Sequence, residues 1–202
     1  MPTEAMTVYR SPYPDIIVPT DVSISQFLVR ANPDDVPSDK VILEDLEEPN
    51  DSMTYGGMRE DAAKHAAWLR SIGLKPGDTV AMYASNSVAW VKAAHAVLWA
   101  GGIMASINAI VSEFELPHYL VIAKPKYIFT DATLRSRVEN VLKQTSSQAT
   151  ILELEYKPGA GFPRNVPDLQ PIPPFAISGD APYSLTVDNR DVPAVLLFSS
   201  GR

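Results

Sequence analysis

Ile72-Gly-Leu-Lys-Pro-Gly-Asp-Thr-Val-Ala-Met-Tyr83 is the stretch that decides the fold. Upstream of it, Met58, Ala62, Ala66, Leu69 and Ile72 recur at three- and four-residue spacings, while Arg59, Glu60, Lys64 and Arg70 fall elsewhere. That spacing predicts an amphipathic helix from Met58 to Ile72. Gly73 supplies the stop, because glycine accepts the left-handed backbone that ends many helices. Lys75-Pro-Gly-Asp78 turns the chain, and Thr79 to Tyr83 continues as a strand. Helix, glycine stop, turn and strand form half of a parallel crossover unit.

The same alternation extends outward on both sides. Ser85-Asn-Ser87 offers N-caps for a second helix running through Ala100, with Trp90, Ala94, Val97 and Leu98 inward and Gly101-Gly102 past its end. Ile103 to Ile107 follows as a strand. Ser112-Glu-Phe-Glu115 fits a capping box opening a helix to Ala123, with Pro117 inside the first turn, where few hydrogen bonds are lost. Lys124-Pro-Lys126 breaks that helix, Tyr127 to Thr130 is a strand, Leu134, Val138 and Val141 mark a fourth helix, and Thr150 to Leu154 is the next strand. On the amino-terminal side, Lys40 to Leu46, with Val41 and Leu43 on one side, and Ser52 to Tyr55 predict a hairpin around Pro49-Asn-Asp51. The expected class is therefore α/β: a mostly parallel, doubly wound sheet with helices on both faces and right-handed crossovers.

Flanking this unit are proline-rich stretches. Residues 1–37 carry Pro2, Pro12, Pro14, Pro19, Pro33 and Pro37 and read as an extended arm, with a short amphipathic piece from Val22 to Ala31 in which Ile24, Phe27 and Leu28 share a face. Residues 38–154 form the α/β unit. Residues 155–192 are a proline-rich connector without apolar periodicity, expected to run over the surface. Residues 193–202 are a strand followed by the opening of a loop.

Composition narrows the function classes. With 24 acidic against 17 basic residues, the net charge of -7 argues against a general nucleic-acid or anionic-membrane binder, which needs a positive field. No cysteine is present, which removes disulfides and thiolate chemistry. No apolar run is long enough for a signal peptide in the first 30 residues or for a membrane span anywhere, so a soluble, intracellular and cytoplasmic chain is expected. His95 lies mid-helix among alanines without a second histidine or carboxylate at metal spacing, and Tyr55 reads as a packing residue. No G-x-G-x-x-G follows the first strand, so a dinucleotide site is not expected.

The chemistry gathers at the end of the chain, Asp191-Val-Pro-Ala-Val-Leu-Leu-Phe-Ser-Ser-Gly-Arg202. Val195 to Phe198 suits a short buried strand behind a proline. Ser199, Ser200 and Gly201 then begin a turn that can present N–H groups, hydroxyls and a close-approaching glycine to an anion such as a phosphate. The P-loop pattern is absent, and a strand with a polar tail is the plainer alternative.

The run Leu196 to Gly201, preceded by Asp191-Val-Pro-Ala194, resembles the opening of the phosphate-binding signature of the AMP-forming acyl-CoA synthetases, the 4-coumarate:CoA ligase-like adenylating enzymes. That signature reads apolar-x-[FY]-[ST]-[ST]-G-[ST]-[ST]-G-x-P-K-G. Arg202 stands where the next Ser or Thr belongs, and the Gly-x-Pro-Lys-Gly half is missing. The resemblance extends through Thr54-Tyr55, Gly73 to Val80, Asn86-Ser87, Ala100-Gly-Gly-Ile103, Ile107-Asn-Ala109 and Lys124-Pro-Lys126. Tyr9-Arg-Ser-Pro-Tyr-Pro14 is similar to the amino ends of fungal members.

The resemblance implies an enzyme that activates a carboxylic acid with ATP and Mg²⁺ to an acyl-adenylate, then transfers the acyl group to CoA. It implies cofactor-binding roles for Ser199 and Ser200 as hydroxyl donors and for Gly201 at the ATP phosphates. No catalytic residue and no metal ligand carry over. A chain with only this portion of the family's machinery is expected to be inactive alone and to bind no cofactor tightly. It would be an amino-terminal fragment of a ligase, of the kind that serves fungal secondary metabolism such as toxin biosynthesis. Ser200-Gly-Arg202 does not match the peroxisomal tripeptide Ser-Lys-Leu, so a peroxisomal setting is implied only for a full-length relative. A non-catalytic remnant that binds a partner through an open sheet edge is the competing expectation.

Overall fold

The computed structural model describes residues 12–14, 17, 19–27, 32, 35–46, 51–154, 182–185 and 188–198. Two strands, β1 (Val41–Glu44) and β2 (Ser52–Thr54), pair antiparallel as the expected hairpin. Five more, β3 (Thr79–Met82), β4 (Ile103–Ser106), β5 (Tyr127–Asp131), β6 (Thr150–Leu154) and β7 (Val195–Leu197), form an all-parallel sheet in the order β6-β5-β3-β4-β7. The helices are α1 (Tyr55–Ser71), α2 (Val88–Trp99), α3 (Leu116–Ala123) and α4 (Arg135–Thr145).

Strand β3 sits in the middle and separates two cores. Its alternating side chains divide between them: Val80 and Met82 pack with α1 and α2, and Ala81 and Tyr83 with α3 and α4. Tyr127 and Phe129 of β5 follow the first set and Ile128 the second. This is the period-two alternation of a strand buried on both faces, and it produces the doubly wound architecture expected from the sequence.

Local signals account for most element ends. Thr54 caps α1 by accepting the Gly57 N–H at 3.0 Å, and Ser87 caps α2 by accepting the Trp90 N–H at 3.1 Å. Helix α1 therefore begins at Tyr55, three residues before the position marked by apolar spacing, and includes Gly56 and Gly57. Gly73 takes φ +102 after the last turn, and Leu74 donates back to the Leu69 carbonyl at 2.9 Å. Gly101, at φ +84, has no room for a side chain: a Cβ there would lie 2.7 Å from the Tyr183 ring.

The Ser112–Glu115 capping box is formed in full. Ser112 N–H donates to Glu115 Oε2 at 3.1 Å, and Glu115 N–H donates to Ser112 Oγ at 3.3 Å. Regular helix starts one residue after the box, at Leu116, because Pro117 at the head of α3 has no N–H to continue the ladder. Lys124 closes α3 in the left-handed region at φ 45.

Three expectations change. Val41 does not share a buried side with Leu43, because a register irregularity between them turns Val41 outward, where it is 51% exposed. Strand β7 is not buried: it occupies the sheet edge beside β4, and Leu197 is 79% exposed. The connector also holds a short 3-10 turn at Asn189–Asp191 that carries no apolar signature. Its Asn189 amide donates to the carbonyls of Pro19 and Val22 at 2.7 and 3.1 Å, so it ties the amino-terminal arm to the approach of β7. Residues 155–181 of the predicted connector, and Leu28 of the arm's apolar face, lie outside the described residues.

His65 of α1 is buried in the fold. Burial lowers its pKa to about 4; Asp61 opposes the shift, and Lys64 and Lys92 add to it. The folded protein thus resists a proton that the unfolded chain accepts near 6.5, so stability is unaffected above that pH and falls as pH drops toward 4. The expected loss over this window is about 3 kcal/mol. Urea titrations at pH 7 and pH 4.5 should show most of that loss in the parent and markedly less in His65→Leu.

Candidate functional site

The carboxyl ends of β3, β4 and β7 open into a cleft of ≈ 520 Å³. In parallel sheets the loops leaving neighbouring strands diverge to opposite faces where the winding reverses, and the gap between them is the usual ligand site. Here the loop after β3 leads to α2 in the first core and the loop after β4 leads to α3 in the second. The cleft lies between those two loops.

One lip is Ala84-Ser85-Asn86, and the other runs from Ile107 through Asn108 to Val111. Ser106, at the end of β4, and Leu197 and Phe198, at the end of β7, also line it. Trp90 of α2 and Tyr119 of α3 contribute rings, and Tyr119 meets Phe198 edge to face at 4.8 Å between centroids. Asn108 Oδ1 accepts the Ile110 N–H at 3.1 Å, a local turn that shapes its lip. The described lining holds hydroxyl, amide and aromatic groups and no Asp, Glu, Lys, Arg or His. Such a wall offers hydrogen bonds and stacking surface without a carboxylate to repel an anion.

The sequence-predicted site residues Ser199, Ser200 and Gly201 lie outside the described residues. Phe198, described immediately before them, is part of the cleft wall. The strand that leads to the predicted anion-binding turn therefore ends at the cleft. Tyr55 is buried in the first core, as its packing role requires. His95 is half-buried on α2 with its pKa lowered by burial, and among the described residues no group of three or more His, Cys, Asp or Glu gathers as a metal site.

Two networks beneath the lips escaped sequence reading. Asp131, at the end of β5, accepts the Ser85 N–H at 2.8 Å through Oδ2. Its Oδ1 accepts the N–H groups of Thr133 and Leu134 at 2.9 and 3.0 Å. Burial raises the Asp131 pKa, but the hydrogen bonds from Thr133, Ser85 and Leu134 outweigh it and hold the carboxyl below its ordinary range. On the other side, the Tyr83 hydroxyl donates to the Val111 carbonyl at 2.6 Å, and Arg137 Nη1 donates to both the Tyr83 hydroxyl and that carbonyl, at 2.8 and 3.0 Å. Asp131-Ala-Thr133 has the local pattern of an aspartate closing an Asx turn, the one signal available in sequence. The reach of Asp131 to Ser85 depends on the parallel pairing of β3 and β5 and leaves no such trace.

The profile of the family described as AMP-binding enzyme matches residues 29–201. The chain belongs to that family. A curated relative, the human mitochondrial medium-chain acyl-CoA ligase ACSF2, is 33% identical over 136 residues, covering 67% of this chain and 21% of the relative. The chain thus spans about a fifth of the length of the curated ACSF2 relatives. Among solved structures, ATP-bound MatB from Rhodopseudomonas palustris superposes with a TM-score of 0.64 at 21% identity, over 90% of this chain and 33% of that one. The luciferase-like enzyme of the Zophobas morio mealworm reaches 0.73 at 20% identity, over 93% and 42%. At these identities the structural matches speak for the fold alone, which is that of the mostly parallel α/β sheet. Among the described residues no helix is long and apolar enough to cross a membrane.

Helix α2 forms one wall of the cleft and depends on its cap. Ser87→Ala is expected to lower stability by about 1 kcal/mol, as losses of helix caps do, measured as a shift in urea midpoint at unchanged slope.

Proposed function

We propose that this chain is the amino-terminal portion of an ATP-dependent acyl-CoA ligase, and that its cleft forms one side of the site where a carboxylic acid is activated. The observation that carries the proposal is positional. The family match runs to residue 201, and β7, the strand just before that end, reaches the carboxyl-end cleft at Phe198, where ligands of parallel sheets bind. Ser199, Ser200 and Gly201 are assigned to the ATP phosphates on the family signature.

In the reaction proposed, a carboxylate oxygen attacks the α-phosphorus of ATP and the bond to the bridging oxygen of pyrophosphate breaks. The CoA thiol, losing its proton, then attacks the acyl carbonyl and AMP departs. Charge that spreads over the phosphoryl oxygens in the first step needs fixed N–H and hydroxyl donors, which is the role given to the turn after Phe198. Mg²⁺, when bound with ATP, supplies further neutralisation of that charge. The described lining of the cleft, which carries no charged side chain, is compatible with an anionic nucleotide alongside it. No described residue is assigned to Mg²⁺ or to the CoA thiol.

The ACSF2 relatives are named as mitochondrial, whereas the sequence led to an intracellular, cytoplasmic chain and a peroxisomal full-length relative. The proposed enzyme belongs to fungal secondary metabolism, such as toxin biosynthesis, a reading supported by the likeness of Tyr9–Pro14 to the amino ends of fungal members. A second reading, a non-catalytic partner-binding remnant, is favoured by one feature: β7 lies at the sheet edge with Leu197 exposed.

The test is to express the product of the longest open frame of the gene and assay exchange of labelled pyrophosphate into ATP. Exchange that depends on an added carboxylic acid, from a product continuing into Gly-x-Pro-Lys-Gly, is the expected result. A reading frame that stops after Arg202, or a complete product without acid-dependent exchange across aliphatic and aryl acids, would contradict the ligase reading.

A further inference from the structure

The two lips of the cleft are held from one place. Asp131 and Arg137 belong to the corner where β5 passes into α4, and neither lines the cleft. Asp131 nevertheless fixes the Ser85 backbone on one lip, and Arg137, together with the fully buried Tyr83, fixes the Val111 carbonyl on the other. We propose that the β5–α4 corner is the positioning base of the cleft, with Asp131 and the Tyr83–Arg137 pair as positioning residues that set the separation of its lips. The proposal rests on the functional reading only for the identity of the ligand; the mechanical role stands on the hydrogen bonds alone.

The physical case is one of over-determination. A loop held by a single neutral hydrogen bond opens readily, whereas charge-assisted bonds from a carboxylate and a guanidinium are stronger and directional. Asp131 Oδ1 is already occupied by Thr133, whose hydroxyl lies at 2.5 Å, and by the Leu134 N–H, so the carboxylate is oriented before Oδ2 meets Ser85. The Val111 carbonyl takes donors from two different elements, one hydroxyl and one guanidinium. A ligand entering between the lips would then meet groups already in place, as precise sites require of their supporting shell.

Two substitutions separate this role from general stability. Asp131→Asn keeps a carbonyl oxygen for Thr133 and Leu134 but turns an amide N–H₂ toward the Ser85 N–H, so it unpins one lip while leaving the turn before α4 closed. Tyr83→Phe removes the hydroxyl and keeps the buried ring. Hydrogen exchange of the full chain, read residue by residue by NMR without ligand, is the test. The expected result is exchange about tenfold faster or more at Ser85 in Asp131→Asn and at Ile110 and Val111 in Tyr83→Phe, with Val80, Ala81 and Phe129 of the central strands unchanged. Equal acceleration at lips and central strands would mean a purely structural role and overturn the proposal, as would unchanged lip amides in both variants. Since no ligand is present, the outcome does not depend on whether the cleft binds adenylates.

Discussion

The constraint on which the rest of this structure depends is the burial of β3 on both faces. A strand with neighbours on either side and helices above and below has no polar face, and Thr79-Val-Ala-Met82 with Tyr83 supplies such a sequence. Its pleat assigns α1 and α2 to one layer and α3 and α4 to the other. With right-handed crossovers, that assignment forces the chain to reverse direction across the sheet, from β4 on one side of β3 to β5 on the other. The reversal opens a cleft at the carboxyl ends. The site is thus a consequence of how the sheet is wound rather than an addition to it.

What occupies the cleft edges follows from the same geometry. The end of β3 leads into Ser85 and Asn86, the end of β4 into Asn108, and the end of β7 into Phe198. The opposite, amino-terminal end of the sheet is organised differently: Lys126 Nζ bridges the Asp78 carboxylate at 2.7 Å and the Gly73 carbonyl at 2.6 Å, tying the approach of β5 to that of β3. An apolar cavity of ≈ 410 Å³ lies at that end as well, walled by the described part of the amino-terminal arm, Tyr183 and the approach to β7. Polar lips at one end and apolar packing at the other point to the carboxyl end as the place for ligand chemistry.

Much of this was legible in the sequence because it is local. Ser87 and the Ser112–Glu115 box are capping signals that act within three residues, and Gly73 ends α1 by backbone conformation alone. Alternation of elements then gave the sheet class. The misplacements have equally definite causes. The outward turn of Val41 comes from an irregular register with β2, which no single-strand pattern reveals. Leu197 looks like a core residue in sequence, yet β7 has only β4 beside it among the described strands. Asp131 and Arg137 could not be identified from spacing, because their partners Ser85, Tyr83 and Val111 are brought near only by strand pairing.

The central claim is that the carboxyl-end cleft, and not the apolar cavity at the other end, is where this adenylating family's ligands meet the chain. Amide chemical-shift mapping with a non-hydrolysable acyl-adenylate analogue at millimolar concentration tests it most directly, since weak binding by the chain is still visible there. The account predicts shifts concentrated at Ser85, Asn86, Asn108 to Val111 and Phe198. Shifts confined to Val22, Phe27 and Tyr183, or spread evenly over the surface, would contradict it.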